Sequence, residues 1–281
     1  MASFPIVLSE ITTIGATMTA LCATITAVHT TYPIVKETYG LTRRYYFNLI
    51  NYFKHKLHPH TIINTKQYDL TVEHPLKDLI FDQGPLGSCT ANATAYAYYN
   101  VHSDFIPSRL FAYYNTRWIE QDIPDDCGGS VLDAIQSICK YGFCSEDSYP
   151  YDITKFSDKP PAHCYDEAKY HEVLTFQVVN QTIDDIKAAL LSNHVIIVGM
   201  TIYNEFYYVK KSGIIPMPSK YSVSQGGHCV AIVGYDDTKQ LVTIKNSWGR
   251  KWGDNGNCYV PYEYILDETK TSELYIITNA M

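Results

Sequence analysis

The sequence predicts an α+β protein of two lobes, and three observations carry that prediction. Between Cys89 and about Pro150 the chain reads as short helices. Beyond that it reads as β-branched runs bounded by Gly, Asn or Asp, with one helix among them. At 281 residues and 46% hydrophobic composition, it is long enough to bury one large core or two smaller ones. A helical half followed by a strand-rich half implies two lobes with a cleft between them.

In the helical half, TANATAYAYYNVH continues from Cys89 with Ala and aromatic residues and no Pro or Gly. SRLFAYYNTRW begins at Ser108, a good N-cap just after Pro107. GGSVLDAIQSICKYG opens after Gly129 with Ser130 as its cap and closes at Gly142. In the second half the expected strands are EVLTFQVVN, HVIIVGMTI, HCVAIVGY and LVTIKNSW. The helix among them, TIDDIKAALLSN, starts with a capping-box pattern of Thr182 and Asp185. Ahead of both halves, YDLTVEHPLKDLIFDQG reads as strand or coil leading into a turn.

Residues 1–66 read as an N-terminal extension and 67–281 as the main domain. Residues 11–35 contain no Asp, Glu, Lys or Arg, and Ile11 to Val28 is near the lower length limit of a membrane span. Six of those eighteen positions are Thr, and basic residues follow the segment rather than precede it. A membrane anchor, a helix packed in a soluble N-terminal region and a cleaved signal all remain open. Residues 36–66 mix basic and aromatic residues, with apolar positions at helical spacing from Tyr45 to Phe53.

A formal charge of −7 gives no electrostatic reason to expect a nucleic-acid partner, although Arg43, Arg44, Lys54 and Lys56 cluster near the N-terminus. The 25 tyrosines suit packing, each with a polar tip to satisfy. Eight cysteines are too sparse for a small disulfide scaffold. Cys127, Cys139, Cys144, His163 and Cys164 crowd together, but they form no tight CxxC pair, so no structural metal is expected. No cofactor is implied.

Chemistry enters at Gln83-Gly84-Pro85-Leu86-Gly87-Ser88-Cys89. The glycines and proline force an irregular turn, and Cys89 then stands at a helix N-terminus. Unpaired backbone N–H groups and the positive end of the dipole favour thiolate there, and the thiolate is the nucleophile. A turn brings the Gln83 amide back beside the sulfur, where it can donate to an oxyanion. Taken alone, Cys89 reads more readily as a buried structural cysteine.

Gly226-Gly227-His228-Cys229 leads into an apolar run, placing His228 at the start of a strand. Asn246 ends another strand in Lys245-Asn246-Ser247-Trp248-Gly249, and a turn near Asp236 to Lys239 brings the two side by side. The Asn246 amide oxygen can accept from one ring nitrogen and leave the other facing the thiol. Trp248 is placed to shield that bond from water. As isolated features, the histidine reads as a satisfied core residue and the Trp-Gly pair as a turn with an aromatic plug.

Together these motifs resemble the papain family of cysteine peptidases from about Tyr68 onward. QGxxGSC, GGHxVAIVGY and KNSWGxxWGxxG occur in family order, with His228 lying 139 residues after Cys89. SRLFAYYNTR, NGNCYVPYEYIL and Thr90 after the nucleophile are closer to members from bacteria and large DNA viruses than to plant or animal cathepsins. The resemblance implies a papain-like fold, with a helical left lobe and a β-barrel-like right lobe, and hydrolysis of peptide or protein substrates through a thioester. It implies Cys89 as nucleophile, His228 as general acid/base, Asn246 as orienter and Gln83 as oxyanion-hole donor, joined by the Cys89 N–H. Gly128 and Gly129 resemble the strand that pairs an extended substrate, with Trp248 beside it. The pocket for the second residue before the cut is expected near Thr271 to Leu274.

Three departures stand out. Leu86 occupies a position where family members commonly carry a disulfide-bonded cysteine, and Thr90 replaces the usual Trp. Cys164 resembles another disulfide position without its partner, leaving Cys127 or Cys144 as alternatives, or free thiols. By the same resemblance residues 36–66 are a removable pro-region. The apolar segment places the protein at a membrane or virion, with a soluble intracellular protein as the alternative. A non-catalytic binding module and a transamidase using the same thioester are the rival functions.

Overall fold

The structure, a computed structural model, describes residues 65–280 except 124 and 210. The apolar segment, the Tyr45–Phe53 helix and the basic-aromatic stretch up to residue 64 lie outside the described residues. The chain opens with a short strand, β1 (Gln67–Asp69), which pairs antiparallel with β4 (Ser224–Asp236) and sets Tyr68 opposite Tyr235. A single 3-10 turn follows at Pro75–Lys77, where the His74 ring accepts from the Leu76 N–H at 3.0 Å.

The helical lobe is built on α1 (Cys89–Val101), α2 (Arg109–Glu120) and α3 (Val131–Tyr141). Every residue of α1 from Thr90 to Tyr98 is buried, because it packs against β4 and β7 (Thr271–Ala280) as well as α2. A helix covered all round has no amphipathic stripe; it needs small residues and internal partners for its polar groups. The four alanines supply the first, and Thr94 Oγ1 donating to Thr90 O at 2.9 Å is one of the second.

The predicted caps form. Ser108 Oγ accepts from Phe111 N–H at 3.2 Å, and Ser130 Oγ accepts from Asp133 N–H at 3.0 Å. In α3, Val131, Ala134, Ile135 and Ile138 make one buried stripe at helical spacing. Gly142 closes that helix with φ of 72°. A short helix, α4 (Ala162–Ala168), completes this lobe.

The second lobe is a seven-stranded antiparallel sheet. Its order is β2 (Val173–Val178), β7, β3 (Ile196–Tyr203), β4, β5 (Leu241–Lys245) and β6 (Asn257–Pro261), with β1 on β4. His228 to Tyr235 of β4 are all buried, the pattern of a central strand covered on both faces. The intervening helices are α5 (Ile183–Leu191) and α6 (Tyr262–Leu266). At the start of α5, Thr182 Oγ1 accepts from Asp185 N–H at 3.2 Å. The Asp185 carboxylate accepts from the threonine hydroxyl instead of its backbone N–H, so only half of the expected capping box forms.

Among the described residues all seven cysteines are free. Cys144 and Cys164 are both fully buried and hydrogen-bond through their side chains. Cys127 is exposed. No helix among the described residues is long and apolar enough to cross a membrane.

Candidate active site

A cleft of about 910 Å³ is lined by Gln83, Cys89, Gly128, Gly129, His228 and Trp248, among others. These are six of the seven residues singled out from the sequence. The seventh, Asn246, is 1% exposed and stands behind His228, out of the cleft.

Cys89 is the first residue of α1, and its thiol takes hydrogen bonds from the backbone N–H groups of Cys229 and Thr90 and from its own. The Cys229 contact ties the sulfur to the residue after His228. Burial still pushes the Cys89 thiol up, against those hydrogen bonds, and the Asp126 charge adds to the rise. His228, 7% exposed, is pushed down to about 4 by burial, with the Asn246 hydrogen bond opposing. Each side therefore resists a lone charge. A proton passed from thiol to imidazole leaves no net charge, so the cleft tolerates that exchange better than ionisation of either group alone.

The tautomer of His228 follows from its neighbour. Asn246 Oδ1 lies 2.8 Å from His228 Nε2 and also accepts the Ser247 backbone N–H at 2.8 Å. A backbone N–H only donates, so the amide oxygen must face it. Nε2 must then carry the proton, which leaves Nδ1 as the acceptor. Asn246 reaches this position because it follows Lys245, the β5 partner of Ala231, three residues beyond His228 on β4. The Tyr96 hydroxyl of α1 donates to Asn246 O at 3.2 Å and locks the backbone there.

Trp248 tilts over the His228 ring at 4.9 Å between centroids. Tyr207, 53% exposed, stacks on Trp248 at 5.3 Å between centroids and 4°. Tyr207 and its ring contact had no local signal in the sequence.

Gln83 is held from three sides. Its backbone N–H donates to Ser247 O at 2.8 Å, its Oε1 accepts the Ser247 hydroxyl at 2.6 Å, and its Nε2 donates to Leu86 O at 2.9 Å. One amide hydrogen remains on Nε2. Behind it, the Tyr151 hydroxyl donates to Gln83 O at 3.0 Å and also bonds the Ser88 hydroxyl. The Arg109 guanidinium is sandwiched between the Phe81 and Tyr151 rings at 4.4 and 4.0 Å and pairs with Glu146 at 2.8 Å.

Beside the loop that precedes Cys89, Gly128 has φ of 80° and donates its N–H to the Tyr113 hydroxyl at 3.3 Å. A Cβ on Gly129 would come within 2.7 Å of Thr116 Cγ2, so that position has no room for a side chain. The Asp126 carboxylate accepts the Gly87 N–H at 2.9 Å and the Tyr113 hydroxyl. It thus joins the loop before Cys89 to the segment before Gly128, where the family resemblance led one to look for a disulfide. Neither Asp126 nor Ser247 was singled out from sequence. Their partners lie 39 and 164 residues away, and no local pattern encodes that distance.

Comparison with known proteins agrees with this fold. A profile described as "Papain family cysteine protease" matches residues 65–270. An uncharacterised peptidase C1-like protein of Acanthamoeba polyphaga mimivirus is 43% identical over 212 residues, covering 70% of this chain and 68% of that protein. A cathepsin B-like protein of Giardia intestinalis is 27% identical over 202 residues, covering 67% and 66%. Among solved structures, xylellain, a cysteine protease from Xylella fastidiosa, superposes with a TM-score of 0.71 at 35% identity, over 76% of this chain and 86% of that one. Motifs, two-lobed fold and relatives agree: the chain belongs to the papain family of cysteine proteases, hydrolases that cleave peptide and protein substrates.

Proposed function

We propose that the chain is a cysteine endopeptidase in which Cys89 is the nucleophile and His228 the general acid/base. The observation that carries this reading is the His228–Asn246 hydrogen bond, whose amide oxygen is pinned by the Ser247 N–H. It leaves Nδ1 of His228 to take the proton of Cys89 as the sulfur attacks the scissile carbonyl. The remaining amide hydrogen of Gln83 and the backbone N–H of Cys89 stabilise the oxyanion. His228 then protonates the leaving amine, and water attacks the thioester with His228 as base. Gly128 and Gly129 pair the extended substrate backbone, and Trp248 borders the leaving side.

Cys89→Ala tests this reading. The variant is expected to lose both turnover and the burst of acyl-enzyme on an activated ester. Cleavage that persists in Cys89→Ala and resists a thiol alkylator would falsify it.

The same reading divides the chain into an N-terminal extension, 1–66, and a peptidase domain, 67–281. Residues 36–66 form a removable pro-region, supported by their basic character beside a chain of net charge −7. Residues 11–35 associate with a membrane or virion, supported by their lack of charged side chains. Active protein whose mass spectrum still begins at Met1 counts against the pro-region. Unchanged membrane partitioning after deletion of residues 1–35 counts against the anchor and in favour of a soluble intracellular protein.

A further inference from the structure

Two buried thiols meet in the helical lobe, away from the cleft. Cys144 lies just after α3, and Cys164 is in the first turn of α4. Both are thiols in the structure, and their side chains hydrogen-bond to one another. Cys164 Sγ also meets Ser148 O at 3.7 Å and His163 Nε2 at 3.4 Å. Cys127, the other partner the sequence left open for Cys164, is exposed and faces Asp122 O and Gly128 O instead. The backbone fixes both positions: Ser108 N–H donates to Cys144 O at 2.8 Å, and Cys164 N–H donates to Pro161 O at 3.0 Å.

Buried cysteines in contact can simply pack as small apolar residues. The segment between these two, residues 145–163, gives their contact a further use, because it braces the candidate site. Glu146 pairs with Arg109 at 2.8 Å and accepts the Tyr151 N–H at 3.1 Å, and the Tyr151 hydroxyl bonds Gln83 O and the Ser88 hydroxyl. The rest of the segment is held less firmly. It contains a single 3-10 turn at Ile153–Lys155, and residues 153–155, 158–159 and 161–163 are exposed. A covalent link between its two ends confines the whole loop.

We propose that Cys144 and Cys164 are a redox pair that closes into a disulfide by exchange with a low-molecular-weight disulfide of the oxidised-glutathione class, stapling the loop that braces Gln83 and Ser88. The exposed His163 ring takes the Cys164 proton when the first turn of α4 opens. The Cys164 thiolate attacks one sulfur of the small disulfide, and the other sulfur leaves and is protonated. Cys144 then loses its proton and attacks the Cys164 sulfur of the mixed disulfide, releasing the second small thiol. The pair loses two electrons and two protons, and the small disulfide gains both. Cys89 takes no part in this exchange, so its outcome is independent of the proposed function.

The test uses the full chain carrying Cys89→Ala, so that the nucleophile forms no mixed disulfide of its own. The protein is equilibrated in oxidised or reduced glutathione, quenched in acid, alkylated and mapped by peptide mass spectrometry. Peptides linked through Cys144 and Cys164 are expected in oxidised glutathione and are expected to separate on adding dithiothreitol. The thermal midpoint should rise by about 5–10 °C on oxidation, the effect of closing a loop of this length, and should not rise when Cys144→Ala is added. Retention of both thiols in fully oxidised glutathione, or linkage of Cys164 to any other cysteine, overturns the proposal. A linked pair with an unchanged midpoint overturns it too, because the loop is then not stapled. If Cys144→Ala folds poorly, Cys164→Ala supplies the same control, and the mass map of the protein that keeps both cysteines decides the linkage without either.

Discussion

Ser247 donates its hydroxyl to Gln83 Oε1 at 2.6 Å, while its backbone N–H caps Asn246 Oδ1 at 2.8 Å. One residue therefore orients both amides of the candidate site. The hydroxyl makes Gln83 present nitrogen to the cleft, and the N–H makes Asn246 present oxygen to His228.

Ser247→Ala removes the first constraint and keeps the second. The Gln83 amide is then free to turn, and its buried oxygen loses a partner. We expect kcat to fall by roughly tenfold to a hundredfold with a smaller change in KM, because oxyanion stabilisation acts in the transition state. Steady-state kinetics on a fluorogenic peptide check this. A rise in KM at constant kcat would show that Ser247 serves ground-state binding instead.

Asn246→Asp places a negative charge where the amide oxygen accepts from His228. Burial holds His228 near 4, so the neutral, proton-accepting imidazole persists well into acid. A carboxylate favours imidazolium and raises that value. The acid limb of the kcat/KM profile is expected to move to higher pH by about one unit or more. An unmoved limb in the pH–rate profile counts against His228 as its origin.

Glu120 supports the Gly128–Gly129 segment from behind by accepting the Ser130 N–H at 2.7 Å. Its carboxyl is pushed up to about 7, first by burial, with Asp133 and Asp122 adding to the rise against the Ser130 hydrogen bond. Between the ordinary value of 4.5 and 7 the folded state binds more protons than the unfolded state, so stability falls as pH rises through that window. Glu120→Gln keeps an acceptor and removes the titration. It should exceed wild type at pH 8 by about 1–2 kcal/mol, or roughly 2–4 °C in Tm per kcal/mol, and lose this margin by pH 5. Thermal melts at the two pH values measure it.

Gly142→Ala tests the junction after α3. Its φ is 72°, and an added Cβ would stand 1.9 Å from the backbone oxygen of Ala168. Neither can relax without moving α4, so we expect a loss of at least about 3 kcal/mol, read as a lower urea midpoint. A midpoint within error of wild type would mean that the connection between α3 and α4 is pliable.

Much of the site was legible because its chemistry lies in local patterns. Cys89 sits where a Gly-Pro turn meets a helix start, and those signals are read within a few residues. His228 lies on one strand of a hairpin and Asn246 directly follows the other, so their separation followed from a turn near Asp236. The helix caps at Ser108 and Ser130 were equally local. The pairing of Asp185 with its own cap hydroxyl was not, since the rotamer that wins depends on what surrounds the turn.

By itself, then, the sequence determined the family, the order of helices and strands, and which thiol, imidazole and amide belong together. Each of those depends on residue type and short spacing. Only the tertiary structure decided that Asp126 bridges to Gly87 near where other family members carry a disulfide, that Ser247 sets both amides, and that a bulge places Glu273 in the lining of the cleft. Those are contacts between segments distant in the chain, and their geometry arises from packing the whole sheet against α1.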